Sequence, residues 1–128
     1  MERDANGTIV ISSLDSNTQF LNNKARAEKR LLPASTFKIP NTLIALDTGA
    51  VADEKEIIKW DGQDKGWYRW NKDQSLETAF PFSCVWFYQE LAGRVGNASY
   101  LKYLDGIDYG NEQTGKNLDT FWLVCGIC

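Results

Sequence analysis

The chain has 128 residues, 43% of them hydrophobic and 24% charged, which is the composition of a globular protein and the length of one small domain spanning 1–128. A net charge of −3 carries no basic footprint for nucleic acid or an anionic membrane, and no apolar run approaches the roughly 18 residues a bilayer span requires. There is no histidine, so a Ser-His-Asp triad is excluded and any activated serine needs another base.

In chain order, residues 8–14 (TIVISSL) and 18–21 (TQFL) are β-rich runs separated by the turn formers Asp15-Ser16-Asn17, which predicts an N-terminal β-hairpin. Residues 22–30 are polar and irregular. Pro33 then opens a helix that Gly49 can close, since proline suits a first turn and glycine the position after the last one. Pro40 falls inside this stretch, where it removes the amide that would bond the Thr36 carbonyl and is expected to kink the helix. Residues 51–73 read as a long loop pinned by Trp60, Trp67, Tyr68 and Trp70, with a short helix at 53–58. Asp73 is placed to cap a helix over 74–80 that Pro81 interrupts. Ser83 is the expected N-cap of a following helix, in which Val85, Tyr88, Ala92 and Val95 recur at helical spacing before Gly96. Residues 97–104 (NASYLKYL) predict a further helix closed by Asp105-Gly106, and Tyr109-Gly110-Asn111 reads as a turn. Cys125 and Cys128 form a C-x-x-C, but no helix start follows to lower a thiol pKa, so the pair reads as a tail and not as a redox or metal site.

The chemistry concentrates at Ser35-Thr36-Phe37-Lys38. A lysine three residues after a serine shares its helical face, and Lys38 sits among Phe37, Ile39 and Pro40, so it is expected to point into an apolar interior. Desolvation there disfavours the ammonium and yields a neutral amine, which is a base. Helix-start amides near Ser35 favour negative charge developing at that point. Together these features predict a lysine-assisted acyl-transfer site.

The run Pro33-Ala34-Ser35-Thr36-Phe37-Lys38-Ile39 with Leu43-Ile44-Ala45-Leu46-Asp47-Thr48-Gly49 resembles the active-site helix of class D, or oxacillinase-type, serine β-lactamases. The resemblance extends to Trp60-Asp61-Gly62, Trp70-Asn71, Ser83-Cys84-Val85 with Tyr88-Gln89-Glu90, Tyr109-Gly110-Asn111 and Phe121-Trp122-Leu123, and covers roughly residues 8–123. It implies an α+β fold of the β-lactamase and penicillin-binding transpeptidase kind, of which this chain would carry the N-terminal hairpin and the mainly helical part. It implies that Ser35 is the nucleophile that opens a β-lactam amide and becomes an acyl-enzyme. Lys38 would be the base, carboxylated by carbon dioxide or bicarbonate, with Trp122 holding the carbamate. Ser83 would pass a proton to the departing nitrogen, Val85 and Leu123 would shield the lysine, and Tyr109 would lie in a loop beside the site. No metal and no organic cofactor is implied, the partner is a small β-lactam, and the compartment is the periplasm or the exterior of a bacterium.

One departure carries weight. The family has a Lys-Thr-Gly or similar triad on a later strand, whereas here Thr114-Gly115-Lys116 runs in the wrong order and place. The resemblance therefore implies a C-terminally truncated chain with low turnover, whose unpaired hairpin edges favour a homodimer or a domain-swapped oligomer. The competing expectations are a β-lactam sensor that is acylated without turnover and a folded but catalytically silent fragment.

Overall fold

A computed structural model describes residues 7–124, so the Cys125 and Cys128 pair lies outside the described residues. The chain divides into two units, Met1–Leu31 and Leu32–Cys128.

In the first unit, β1 (Val10–Ser12) and β2 (Gln19–Leu21) form the expected antiparallel hairpin, with Val10 opposite Leu21, Ile11 opposite Phe20 and Ser12 opposite Gln19. Its turn is set by Ser13, whose Oγ accepts from the amides of Asp15 and Ser16, both at 3.3 Å. The strands are shorter than the sequence runs, and the side chains of Val10, Ile11 and Phe20 are exposed. Among the described residues no third strand joins them. Residues 22–30, expected to be irregular, contain the short helix α1 (Lys24–Ala27). Asn23 makes this helix: it adopts φ 48° and its side chain accepts from the Arg26 amide, a local bond that asparagine forms readily in the left-handed region.

The second unit is helical. A 3-10 turn, Ala34–Phe37, leads directly into α2 (Lys38–Asp47), followed by α3 (Leu76–Ala79), α4 (Val85–Val95) and α5 (Asn97–Gly106). The helix over 33–49 thus begins with a tighter turn than expected. Pro40 lies in the first turn of α2, where its missing N–H is not needed, so the anticipated mid-helix kink does not arise. Gly49 ends α2 as predicted. It takes φ 69°, its amide reaches the Leu46 carbonyl at 3.2 Å, and the Ala50 amide reaches that of Ala45 at 2.9 Å, which together form a Schellman motif.

Three further expectations are corrected. No helix forms at 53–58, because the Asp53 and Glu56 carboxylates take the amides of Lys55 (2.8 Å) and Ala52 (2.6 Å) in turns, and Ile58 bridges Gln74. Asp73 does not cap α3: it accepts from the Trp60 amide and pairs with Lys59, while Ser75 and Thr78 form the capping box. Ser83 does not cap α4 either. Cys84 holds that position, and Ser83 sits one residue earlier at φ 51°.

The long loop over 51–73 is pinned as expected, by polar ends as well as by ring faces. The Trp60 indole N–H donates to the Gln63 carbonyl at 2.8 Å, Trp70 to that of Phe82 at 3.0 Å, and Trp86 to that of Trp70 at 2.8 Å. The core gathers Phe37 of the 3-10 turn and Ile44 and Ala45 of α2 with Phe87, Tyr88, Leu91, Ala92 and Val95 of α4, Tyr100 and Leu104 of α5, and Phe121-Trp122. The opposite side of α2 is bare, and Ile39, Leu43 and Leu46 are exposed along it.

Candidate active site

Phe37 anchors the site. It is fully buried, with ring centroids 4.9 Å from Phe121, 5.7 Å from Tyr109, 5.7 Å from Trp122 and 6.1 Å from Tyr100. Aromatic pairs in this range add about 0.5–1.5 kcal/mol each beyond burial, so the residue between Thr36 and Lys38 is held from several sides. Its neighbours inherit that order. Lys38 turns inward and is only 2% exposed, whereas Ser35, one turn earlier, faces outward.

The two meet directly: Lys38 Nζ donates to Ser35 Oγ at 3.0 Å. Burial pushes the Lys38 ammonium below its ordinary pKa, opposed in part by the nearby Cys84 thiol. The Cys84 thiol is itself raised, chiefly by burial. The Tyr88 ring lies 5.6 Å from Lys38 Nζ, and the Tyr88 hydroxyl pairs with Thr42 at 2.7 Å while burial pushes its pKa up to about 12. Lys38 is therefore surrounded by neutral groups, and among the described residues no carboxylate makes an ion pair with it. That environment favours a neutral amine beside a hydroxyl.

Trp122 is fully buried and stacks on Phe37 at an interplanar angle of 19°. Its indole N–H has no hydrogen-bond partner among the described residues. Buried donors are nearly always satisfied, so an orphan here marks a place for an acceptor. Tyr109, half-buried, packs edge-on to Phe37 and hydrogen-bonds the side chain of Thr36 next to Ser35, and burial raises its pKa. Val85 is half-buried at the start of α4, and Leu123 is half-buried against the core. Ser83 is half-buried beside Cys84, and its left-handed backbone is a costly conformation for a non-glycine residue. Ala34, immediately before Ser35, is also left-handed at φ 47°. Ser83 thus stands at, and Ser35 directly follows, a backbone conformation of the kind that clusters in active sites.

Of the residues singled out from sequence, Ser35 and Lys38 are in contact, and Trp122 and Tyr109 converge on the Thr36-Phe37 link between them. Two residues of this region are not singled out by the sequence. Cys84 figures there only as the middle residue of Ser83-Cys84-Val85, and Asn41 does not figure at all, although its spacing of three from Lys38 on one helix is a signal the sequence carries. Among the described residues no cluster of ligating side chains could hold a metal ion.

Comparison with known proteins identifies the family. Residues 3–125 match the penicillin-binding protein transpeptidase domain. The chain is 48% identical over 126 residues to β-lactamase OXA-48 of Klebsiella pneumoniae, covering 98% of this chain and 48% of that protein. It is 38% identical over 121 residues to the probable β-lactamase YbxI of Bacillus subtilis (strain 168), covering 94% and 45%. Among solved structures, a class D β-lactamase from Bacillus subtilis superposes with a TM-score of 0.86 at 38% identity, covering 94% of this chain and 51% of the other. A class D enzyme from Nostoc gives 0.85 at 40% identity, covering 91% and 50%. The chain therefore spans about half the length of the relatives it matches, and its fold is the corresponding part of the transpeptidase and β-lactamase fold. The serine-lysine pair, the aromatic clamp around it and these matches agree: the chain belongs to the penicillin-binding protein transpeptidase domain family and is a homologue of the class D β-lactamases.

Proposed function

We propose that this chain is a serine hydrolase of β-lactam amides, with Ser35 as nucleophile and Lys38 as its base. The observation that carries the reading is the buried, charge-isolated Lys38 amine 3.0 Å from the Ser35 hydroxyl. In the acylation step the Ser35 proton passes to the base at Lys38 as Oγ attacks the lactam carbonyl. The carbon–nitrogen bond then breaks, Ser83 passes a proton to the departing nitrogen, and the opened substrate remains as an ester on Ser35. Water completes the cycle by hydrolysing that ester.

The residues present fit a carboxylated lysine. Carboxylation needs a neutral amine, which burial of Lys38 favours, and the product needs a buried donor, which the unpartnered Trp122 indole N–H supplies. Bound there, the group would supply a poorly solvated oxygen base that is easily protonated. Val85 and Leu123 keep bulk water from Lys38, and Tyr109 orders the segment bearing Ser35 through Thr36.

Low turnover by these 128 residues alone belongs to the same reading, since they contain no Lys-Thr-Gly or Lys-Ser-Gly. Removal of a single oxyanion donor costs on the order of 100 to 1000-fold in rate. Function in the periplasm or outside a bacterial cell is part of the proposal, and no described helix is long and apolar enough to cross a membrane. So is self-association, supported by the exposed Ile39, Leu43 and Leu46 on α2 and by the open edges of the hairpin. The test is hydrolysis of a chromogenic cephalosporin, which Ser35→Ala should abolish and added bicarbonate should raise. Hydrolysis that survives Ser35→Ala would overturn the assignment.

A further inference from the structure

Asn41 lies three residues after Lys38, on the same face of α2, and is fully buried. Its Oδ1 accepts from the Tyr100 hydroxyl at 2.7 Å. Burial raises the pKa of that hydroxyl, so it keeps the proton it donates to Oδ1. The other end, Nδ2, has no partner among the described residues. Only three buried side-chain polar atoms among those residues share this condition: Asn41 Nδ2, Trp122 Nε1 and Gln74 Oε1. Gln74 is an acceptor held elsewhere, by its bridge to Ile58 and its bond to the Arg69 carbonyl. The remaining two are both donors, and both belong to the cluster around Phe37, whose ring meets Tyr100 on one side and Trp122 on another. Two unmet N–H donors, one three residues from Lys38 on its helical face and one on the ring stacked against the adjoining Phe37, are matched by an anion carried on that lysine and not by an ammonium.

We infer that Asn41 is a positioning residue for Lys38: its carboxamide, oriented by Tyr100, offers the second N–H, beside that of Trp122, to a carbamate on the lysine. This rests on the carboxylated-lysine reading above. A charge-assisted hydrogen bond lost from such a site changes occupancy by roughly tenfold or more.

The experiment is a titration with ¹³C-bicarbonate, following the carbamate carbon by NMR in the wild-type chain, in Asn41→Leu, which keeps the volume and removes the donor, and in Tyr100→Phe, which keeps Asn41 and removes its anchor. Near-ultraviolet circular dichroism monitors the fold in each. Asn41→Leu is expected to need about tenfold more bicarbonate for half occupancy, and Tyr100→Phe a smaller increase in the same direction. A folded Asn41→Leu with the wild-type requirement overturns the inference. If that variant does not fold, Tyr100→Phe decides, and an unchanged requirement there overturns it equally. A wild-type chain that forms no carbamate overturns the carboxylated-lysine reading and this inference together, whereas carbamate indifferent to both substitutions overturns this inference alone.

Discussion

The unpartnered Trp122 indole gives a sharp energetic prediction. A buried donor without an acceptor costs about 1–3 kcal/mol, and the same amount is recoverable when an acceptor arrives. Trp122 is 0% exposed, so water does not relieve the cost from the surface. If Lys38 becomes carboxylated, the wild-type chain should gain about 1–3 kcal/mol of unfolding free energy in bicarbonate at fixed pH and ionic strength. Through ligand linkage, a gain of about 2.7 kcal/mol corresponds to a concentration 100 times the dissociation constant. Trp122→Phe removes the donor. It should be less stable than wild type without bicarbonate because the smaller ring leaves space, and should gain no more than about 0.5 kcal/mol when bicarbonate is added. Urea denaturation followed by tryptophan fluorescence reads both, since four of the five tryptophans remain in the variant. Equal bicarbonate gains in wild type and variant would refute the link between the orphaned N–H and the lysine.

Other consequences follow from the same contacts. Ser75→Ala breaks the capping box of α3 and should cost about 1 kcal/mol in urea denaturation. The Lys38 pKa is lowered by folding, so between its folded value and the ordinary 10.5 the unfolded chain binds more protons and stability rises with pH. Lys38→Met should remove that rise, whose slope is at most about 1.4 kcal/mol per pH unit, in denaturation series between about pH 7 and 10, below the range where Tyr88 titrates. At the acid end, hydrogen bonds from Asn71 and Lys59 hold Asp64 and Asp73 below their usual pKa, as those from the Ala52 amide and Lys65 do for Glu56 and Asp61. Stability from these carboxylates is present above about pH 4 and lost as the pH falls through the lowered values. Hydrogen exchange at the Ala52, Trp60, Gln63 and Gly66 amides should accelerate there before exchange in α4 does.

The hairpin, α2 with its glycine stop, α4 and α5 were legible because their signals are local: turn formers between β-rich runs, helical apolar spacing, and Pro33 and Gly49 at opposite ends. The serine-lysine pair was legible for the same reason, since a helical spacing of three fixes a contact. What failed was competition for backbone amides. Asp53, Glu56 and Asp73 were read as helix residues or caps, but their carboxylates found better use in turns or with Lys59, and Ser75 took the cap that Asp73 left. Ser83 had the chemistry of a cap, yet the chain turns through it in the left-handed region and leaves Cys84 at the helix start. Asn41 gains significance only when α5 sets Tyr100 against it, and Cys84 only when packing brings its thiol near Lys38, and both are long-range consequences of the fold.

The central claim is that Ser35 is a nucleophile activated by Lys38. Intact-mass spectrometry of the chain incubated with a penicillin tests it most directly. The account predicts a single adduct of the full penicillin mass, mapped to Ser35, absent in Ser35→Ala and strongly slowed in Lys38→Met; its persistence or decay over hours separates a sensor-like trap from a hydrolase. An unmodified wild-type chain after prolonged incubation, or an adduct that forms equally in Ser35→Ala, would contradict it.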